Sequence, residues 1–246
     1  MTTTLEVGRL GNQIIRNLAV SLIAEKYNLN VNYCNYDLIN KLGIPLFIGS
    51  NVYDSVHYLN DNNYFTVYNC GNLNYNLNPN HLSFFQTKEI IHFLYDYLHT
   101  DKIKTNIIEK NPFKNRYHTN NDLFIHIRLD DVAHFNPGIH YYLNNIKKIK
   151  FDNLYVSTDE KNHNIIQTII TTYPNANIIE YDEINTFQFA STCKHIILSH
   201  GSFSAVIGYL SFFSDVYYPE YEKDKIWHGD MFSINNWIQY SVKPID

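Results

Sequence analysis

Apolar positions fall into two regimes along the chain. After residue 122 they form short runs, Leu123 to Ile127, Leu154 to Val156, Asn177 to Ile179, His195 to Leu198 and Val216 to Tyr218. Runs of that length without alternation suit strands buried on both faces. Between them the spacing turns helical, with Ile165, Ile166, Ile169 and Ile170 on one stripe and Phe203, Val206, Ile207 and Leu210 on another. Strand and helix in alternation predict an α/β fold with a parallel sheet covered on both faces. Ligands of such sheets bind beyond the C-terminal strand ends.

The first half is harder to read. A strand over Thr4 to Val7, a glycine turn, and a helix with Ile14, Ile15, Leu18, Ala19, Leu22 and Ile23 on one face give it a β-α start. From Leu29 to Asn80 the chain is rich in Asn, Gly and Tyr with only short apolar runs, so strands there are not delimited. A helix is expected over Thr87 to Leu98. Asn111-Pro112 and the polar run His118 to Asn121 break structure, which divides the chain into domains 1–115 and 116–246.

With 246 residues, 45% of them hydrophobic, the chain can build a core for one large domain or two small ones. A net charge of -5 without a basic stripe argues against a surface that tracks nucleic acid. Cys34, Cys70 and Cys193 stand far apart, a poor disulfide framework that suits a reducing compartment. The opening MTTTLEVGRLG has no signal-peptide pattern, and no run approaches the roughly 18 apolar residues of a membrane span. A soluble, cytoplasmic protein is expected. Twelve histidines are dispersed without an HxxxH pair, so no metal site is expected.

Candidate chemistry lies at strand ends. In FIHIRLDD, His126 and Arg128 share one strand face, and Arg128 reaches the C-terminal end, where a guanidinium can recognise phosphate or simply pair with Asp130 or Asp131. In SHGSFSAVIGYL, Ser199, His200, Gly201, Ser202, Phe203 and Ser204 run from strand into helix. The free N–H groups of that first turn could seat a diphosphate, with Ser202 or Ser204 as cap. GRLGNQ places Gly11, Asn12 and Gln13 at a turn facing an interdomain cleft, or Asn12 at a helix N-cap. It is not a GxGxxG fingerprint, which leaves a nicotinamide-dependent oxidoreductase weakly supported. Asp159, in STDE, either faces a ligand or starts the next helix.

Taken in order, these segments resemble the α-1,2-fucosyltransferase family over most of the chain. GRLGNQ is similar to its GGLGNQ segment, FFQTKEI to its aromatic-Gln-Ser-Glu-Lys stretch, and FIHIRLDD to its His-x-Arg-Arg-x-Asp strand end, matching His126, Arg128 and Asp131. His140-Tyr141-Tyr142, STDE and the block from Phe187 to Leu210 continue the match. The resemblance implies a GT-B-like α/β fold, two Rossmann-like domains with parallel sheets facing a central cleft. The acceptor side would be N-terminal and the nucleotide-sugar side C-terminal. It implies an inverting glycosyltransferase carrying a deoxyhexose, fucose from GDP-fucose, to a glycan hydroxyl. No metal or other cofactor is implied, and the partners are a nucleotide sugar and a glycan acceptor.

Arg128 would neutralise the leaving phosphate, Asp131 would be the first candidate for general base, and His126 would orient the strand end or touch the nucleotide. Three departures bear on the donor: Leu129 stands where the family has a second arginine, Ala205-Val206 replaces an aromatic pair, and Thr186 occupies the place of a base-reading acid. A different GDP- or UDP-sugar donor is therefore the alternative, and a non-catalytic glycan- or nucleotide-binding module a second.

Overall fold

The structure, a computed structural model, describes residues 1–220 and 229–242. They divide into two compact units, residues 1–110 with 229–231 and residues 111–220 with 232–242.

In the N-terminal unit β1 (Thr2–Thr3) pairs in parallel with β2 (Val31–Asn32). A second parallel pair is formed by β3 (Val56–Leu59) and β4 (Asn76–Pro79). No backbone ladder joins the pairs; instead Thr2 Oγ1 accepts from Leu77 N at 2.8 Å. The helices are α1 (Leu10–Tyr27), α2 (Tyr36–Lys41), α3 (Tyr64–Tyr68), α4 (Lys88–Leu98) and α5 (Asp101–Lys110). Helix α1 is buried almost all round and carries Gln13, Arg16, Asn17 and Ser21 inside along with its aliphatic stripe. It ends on Asn28 in the left-handed conformation, whose N–H closes onto Ala24 O. Thr87 caps α4 by accepting from Ile90 N at 3.4 Å.

Two expectations are corrected here. The first strand forms at Thr2–Thr3, not Thr4 to Val7, because only that stretch meets β2; Thr4 N makes a last bond to Asn32 O at 3.0 Å and Leu5 is exposed. Asn12 is not the N-cap of α1, which starts at Leu10 with Arg9 as N-cap. Gly8, at φ +72, turns the chain earlier than anticipated, and a Cβ there would lie 2.3 Å from the Asn12 amide.

In the C-terminal unit β5 (Leu123–Ile127), β6 (Leu154–Thr158), β7 (Asn177–Ile178), β8 (His195–Ile197), β9 (Asp215–Pro219) and β10 (Ile238–Tyr240) form one all-parallel sheet in the order β10-β9-β8-β5-β6-β7. The crossovers carry α6 (Ile139–Lys148), α7 (Asn164–Thr172), α8 (Glu183–Ala190) and α9 (Gly201–Tyr209). The chain winds outward from β5 through β6 to β7, then returns to β8 on the other side and winds through β9 to β10. This is a Rossmann-like sheet with its switch point between β5 and β8.

Strand β5 is buried on both faces, which is why its sequence lacks polar alternation. Leu123, Ile125 and Ile127, with Leu129 beyond, pack with Tyr141, Tyr142 and Ile146 of α6 and Ile166 and Ile169 of α7. Each fully buried aliphatic chain contributes about 1.5–3 kcal/mol. The opposite face turns His126 onto Phe203 of α9, with ring centroids 5.0 Å apart, and Phe203 stacks on Phe187 of α8 at 4.1 Å. Among the described residues no helix is long and apolar enough to cross a membrane.

Candidate functional site

The two central strands release the chain side by side at their C-terminal ends. Past β5, Arg128 is held by ion pairs from Nη1 to Asp159 and from Nη2 to Asp131. The second oxygen of Asp159 accepts from Leu129 N at 2.8 Å. Asn136 Nδ2 donates to Arg128 O at 2.8 Å and to Tyr142 Oη at 3.0 Å. Backbone and guanidinium are therefore both fixed. The chain then turns sharply through Asp130, at φ +31, into a short 3-10 turn over Asp130–Phe135.

Asp159 does not start the following helix. Helix α7 begins at Asn164, capped by His163, whose Nδ1 accepts from Ile165 N at 3.2 Å. The carboxylate faces Arg128 instead, since β6 ends beside β5. Leu129, noted as a departure from the fucosyltransferase pattern, is a core residue. Arg128 does pair with an acid of its own segment, Asp131, and that carboxylate is the more exposed of its partners, at 56% against 22% for Asp159.

Past β8, Tyr141 Oη donates to Leu198 O at 2.9 Å and Tyr142 Oη to Ser199 Oγ at 3.0 Å, tying α6 to the strand end. Ser204 is not a helix cap. Its Oγ accepts from Ser199 N at 3.0 Å and lies 2.6 Å from His126 Nδ1, locking α9 to both strands. Nor does Ser202 cap the helix: His200 is the N-cap, and no side chain caps the first turn. Gly201 adopts φ +87, and a Cβ there would meet nothing within 4 Å. The start of α9 thus presents backbone N–H groups and the positive end of a helix dipole without a side-chain oxygen bound to them.

Burial sets the electrostatics. His126 is pushed down to about 3, by desolvation first and then by the charges of Arg128 and His200. His200 falls to about 4, again by burial first and then by Arg128 and His134, against opposition from the Val132 backbone and Asp131. Both rings are neutral at pH 7, and Arg128 supplies the permanent positive charge. His126, 6% exposed, is a tie between β5 and α9 and not a solvent-facing ligand group. Tyr142 is raised by burial, with its bonds to Ser199 and Asn136 opposing.

His126, Arg128, Asp131, Asp159 and Ser199 to Ser204 therefore come together around one switch point. Thr186 lies within α8, buried, its hydroxyl donating back to Tyr181 O at 3.3 Å. Gly11, Asn12 and Gln13 belong to the other unit, in the first turn of α1. There Asn12 Oδ1 accepts from Gln86 Nε2 at 2.8 Å, and Gln13 bridges Gly8 O at 2.7 Å and Asn35 at 2.5 Å. The supporting roles of Asn136, Tyr141 and Tyr142 were not read from the sequence. Tyrosines at a helix start were visible, but their hydroxyl partners lie 57 residues further on.

Among the described residues no group of three or more His, Cys, Asp or Glu side chains could hold a metal ion. No protein-family model matches the chain, and no curated protein matches it at a significant level.

Proposed function

We propose that the C-terminal unit binds a nucleoside diphosphate sugar at the β5/β8 switch point and that the protein is an inverting glycosyltransferase, with GDP-fucose as donor and a glycan hydroxyl as acceptor. The reading includes a GT-B-type pairing of the two units, with the acceptor approached from the N-terminal one. The observation that carries it is a buttressed arginine beside a helix start with no side-chain cap, at the place where open parallel sheets take ligands.

In this reading the diphosphate bridges Arg128 and the first-turn N–H groups of α9, replacing Asp131 at the guanidinium while Asp159 keeps it aimed. As the acceptor oxygen bonds to C1, the bond from C1 to the phosphate oxygen breaks and its electron pair leaves with the diphosphate. Arg128 and the helix dipole receive that charge. Asp131, released from the ion pair, takes the acceptor proton. Fucose and guanine rest on the resemblance to fucosyltransferases. Thr186, a hydroxyl already bonded to a backbone carbonyl, favours a second reading in which a different nucleotide sugar is used.

The test is transfer from GDP-fucose to a panel of glycan acceptors by wild type and Arg128→Ala. Turnover by wild type and a loss on the order of 10²–10³ in the variant is expected, the scale of removing one preorganised charge contact. Transfer by the variant at wild-type rate overturns the mechanism.

A further inference from the structure

The N-terminal unit buries an arginine that forms no ion pair with an acid among the described residues. Arg16, in the middle of α1, is 1% exposed. Its Nη1 donates to Asn80 O at 3.1 Å and to Ser83 O, and its guanidinium lies 6.0 Å from the Phe84 ring centre and 5.8 Å from that of Phe85. Nε and Nη2 are buried and have no hydrogen-bond partner among the described residues. Burial lowers its proton affinity, with Cys34 and Asp61 opposing, yet a guanidinium remains charged.

Those two atoms share one edge of the guanidinium plane, and their N–H bonds point in the same direction. That edge is the side-on fork that receives both oxygens of a carboxylate. A desolvated cation whose fork faces no acid is costly unless an anion completes it.

A second unpartnered atom is on a residue bonded to the same helix face. Asn12 sits one turn before Arg16 on α1, and its side chain holds Gln86 through Nε2. That fixes the Gln86 amide, yet Oε1 is buried without a partner among the described residues. An acceptor oxygen calls for a donor such as a hydroxyl. Between Ser83 and Gln86 the chain passes through Phe85, a wholly buried aromatic residue at φ +56, where a bulky side chain is strained. Strain of this kind persists where the surrounding structure imposes it and is concentrated at ligand sites.

We infer that Arg16 and Gln86 form a binding site for a carboxylate that carries a neighbouring hydroxyl, the shared chemistry of hydroxy acids and acidic sugars. The carboxylate takes the Nε/Nη2 edge of Arg16 between the phenylalanine rings, and the hydroxyl donates to Gln86 Oε1. Segment 80–86, which supplies Ser83, Phe84, Phe85 and Gln86, is irregular, and Leu82 on it is 73% exposed. This site lies in the N-terminal unit and stands independently of the nucleotide reading.

Calorimetric titration of the full chain with lactate, glucuronate, propionate and glucose tests it. Wild type is expected to bind lactate or glucuronate saturably and to show no saturable binding of uncharged glucose. Tenfold tighter binding of glucuronate than of lactate assigns an acidic sugar, and the reverse assigns a small hydroxy acid. Arg16→Gln is expected to weaken the carboxylate at least tenfold. Gln86→Met, which spares the arginine, is expected to weaken the hydroxylated ligand severalfold and leave propionate unchanged, and it decides the matter if Arg16→Gln does not fold. No saturable binding of either hydroxylated carboxylate by wild type, or undiminished binding by the folded variants, overturns the assignment.

Discussion

The two units hold their arginines in opposite ways, half-buried against carboxylates in one and fully buried without an ion pair among the described residues in the other. In the C-terminal unit Arg116 meets Asp122 at 2.7 Å and Thr192 Oγ1 at 3.1 Å, and Arg128 meets Asp159 and Asp131. In the N-terminal unit Arg16 meets backbone carbonyls and aromatic rings. Where a carboxylate is supplied by the fold, the cation is part of the scaffold. Where it is not, we propose that the charge serves a ligand; at Arg128 the proposed nucleotide site combines the two cases, with Asp131, 56% exposed, as the partner that yields.

The sharpest way to break this comparison is to remove each cation in turn. Arg116→Met leaves the Asp122 carboxylate, 3% exposed, without its counter-charge and with Asn153 Nδ2, at 2.8 Å, as its remaining side-chain donor, and is expected to cost about 3–5 kcal/mol in urea unfolding. Arg16→Met removes an unmatched charge and leaves only carbonyls to resatisfy, so its cost should be clearly smaller, about 1–3 kcal/mol before the relief of desolvation is counted. Equal losses would show that Arg16 is scaffold as well.

Acidification separates the units next. His126 and His200, with folded pKa values of about 3 and about 4, lie in the C-terminal unit, and His195 of that unit is also lowered, by burial first. Since the unfolded chain takes up protons near 6.5 and the folded chain does not, their stability contribution is full above that pH. It is lost as pH falls towards 4 and then 3. Each deeply buried ring should cost roughly 2 kcal/mol at pH 5. His126→Gln should flatten the pH dependence of unfolding between pH 6.5 and 4, and an unchanged slope would show that the ring is charged in the folded state.

The contrast between the units also explains what could be read from the chain. Strands β5, β6, β8 and β9 were legible because each holds an apolar run bounded by turn residues, the two-residue β7 because Ile178 and Ile179 fall between two helical stretches, and α7 and α9 because apolar side chains return every helical turn. Strands β1 to β4 were not. They are two to four residues long, and the link between their pairs is the Thr2 hydroxyl, which no hydrophobic period records. At the site, Arg128 and the α9 start were visible as a strand end and a glycine turn. The inward rotation of Ser204 and the pairing of Asp159 with Arg128 depend on which strands become neighbours. Arg16 escaped notice because a lone arginine in a helical stripe reads as a solvated position.

Smaller effects sharpen the proposed nucleotide site. Arg128→Lys, which keeps the charge but loses the planar fork, should weaken nucleoside diphosphate binding about 10–100-fold, the scale of 1.5–3 kcal/mol for charged hydrogen bonds. Asp131→Asn removes an exposed competitor worth less than about 1 kcal/mol, so binding should tighten by no more than roughly fivefold with stability nearly unchanged. Weaker binding in this variant would mean that Asp131 holds the ligand instead of yielding to it.

The most direct measurement is calorimetric titration of the wild-type chain with GDP, UDP and NAD in metal-free buffer. Saturable binding of GDP that is lost in Arg128→Ala is the predicted result. Binding of NAD with no response to either nucleoside diphosphate would contradict the central claim.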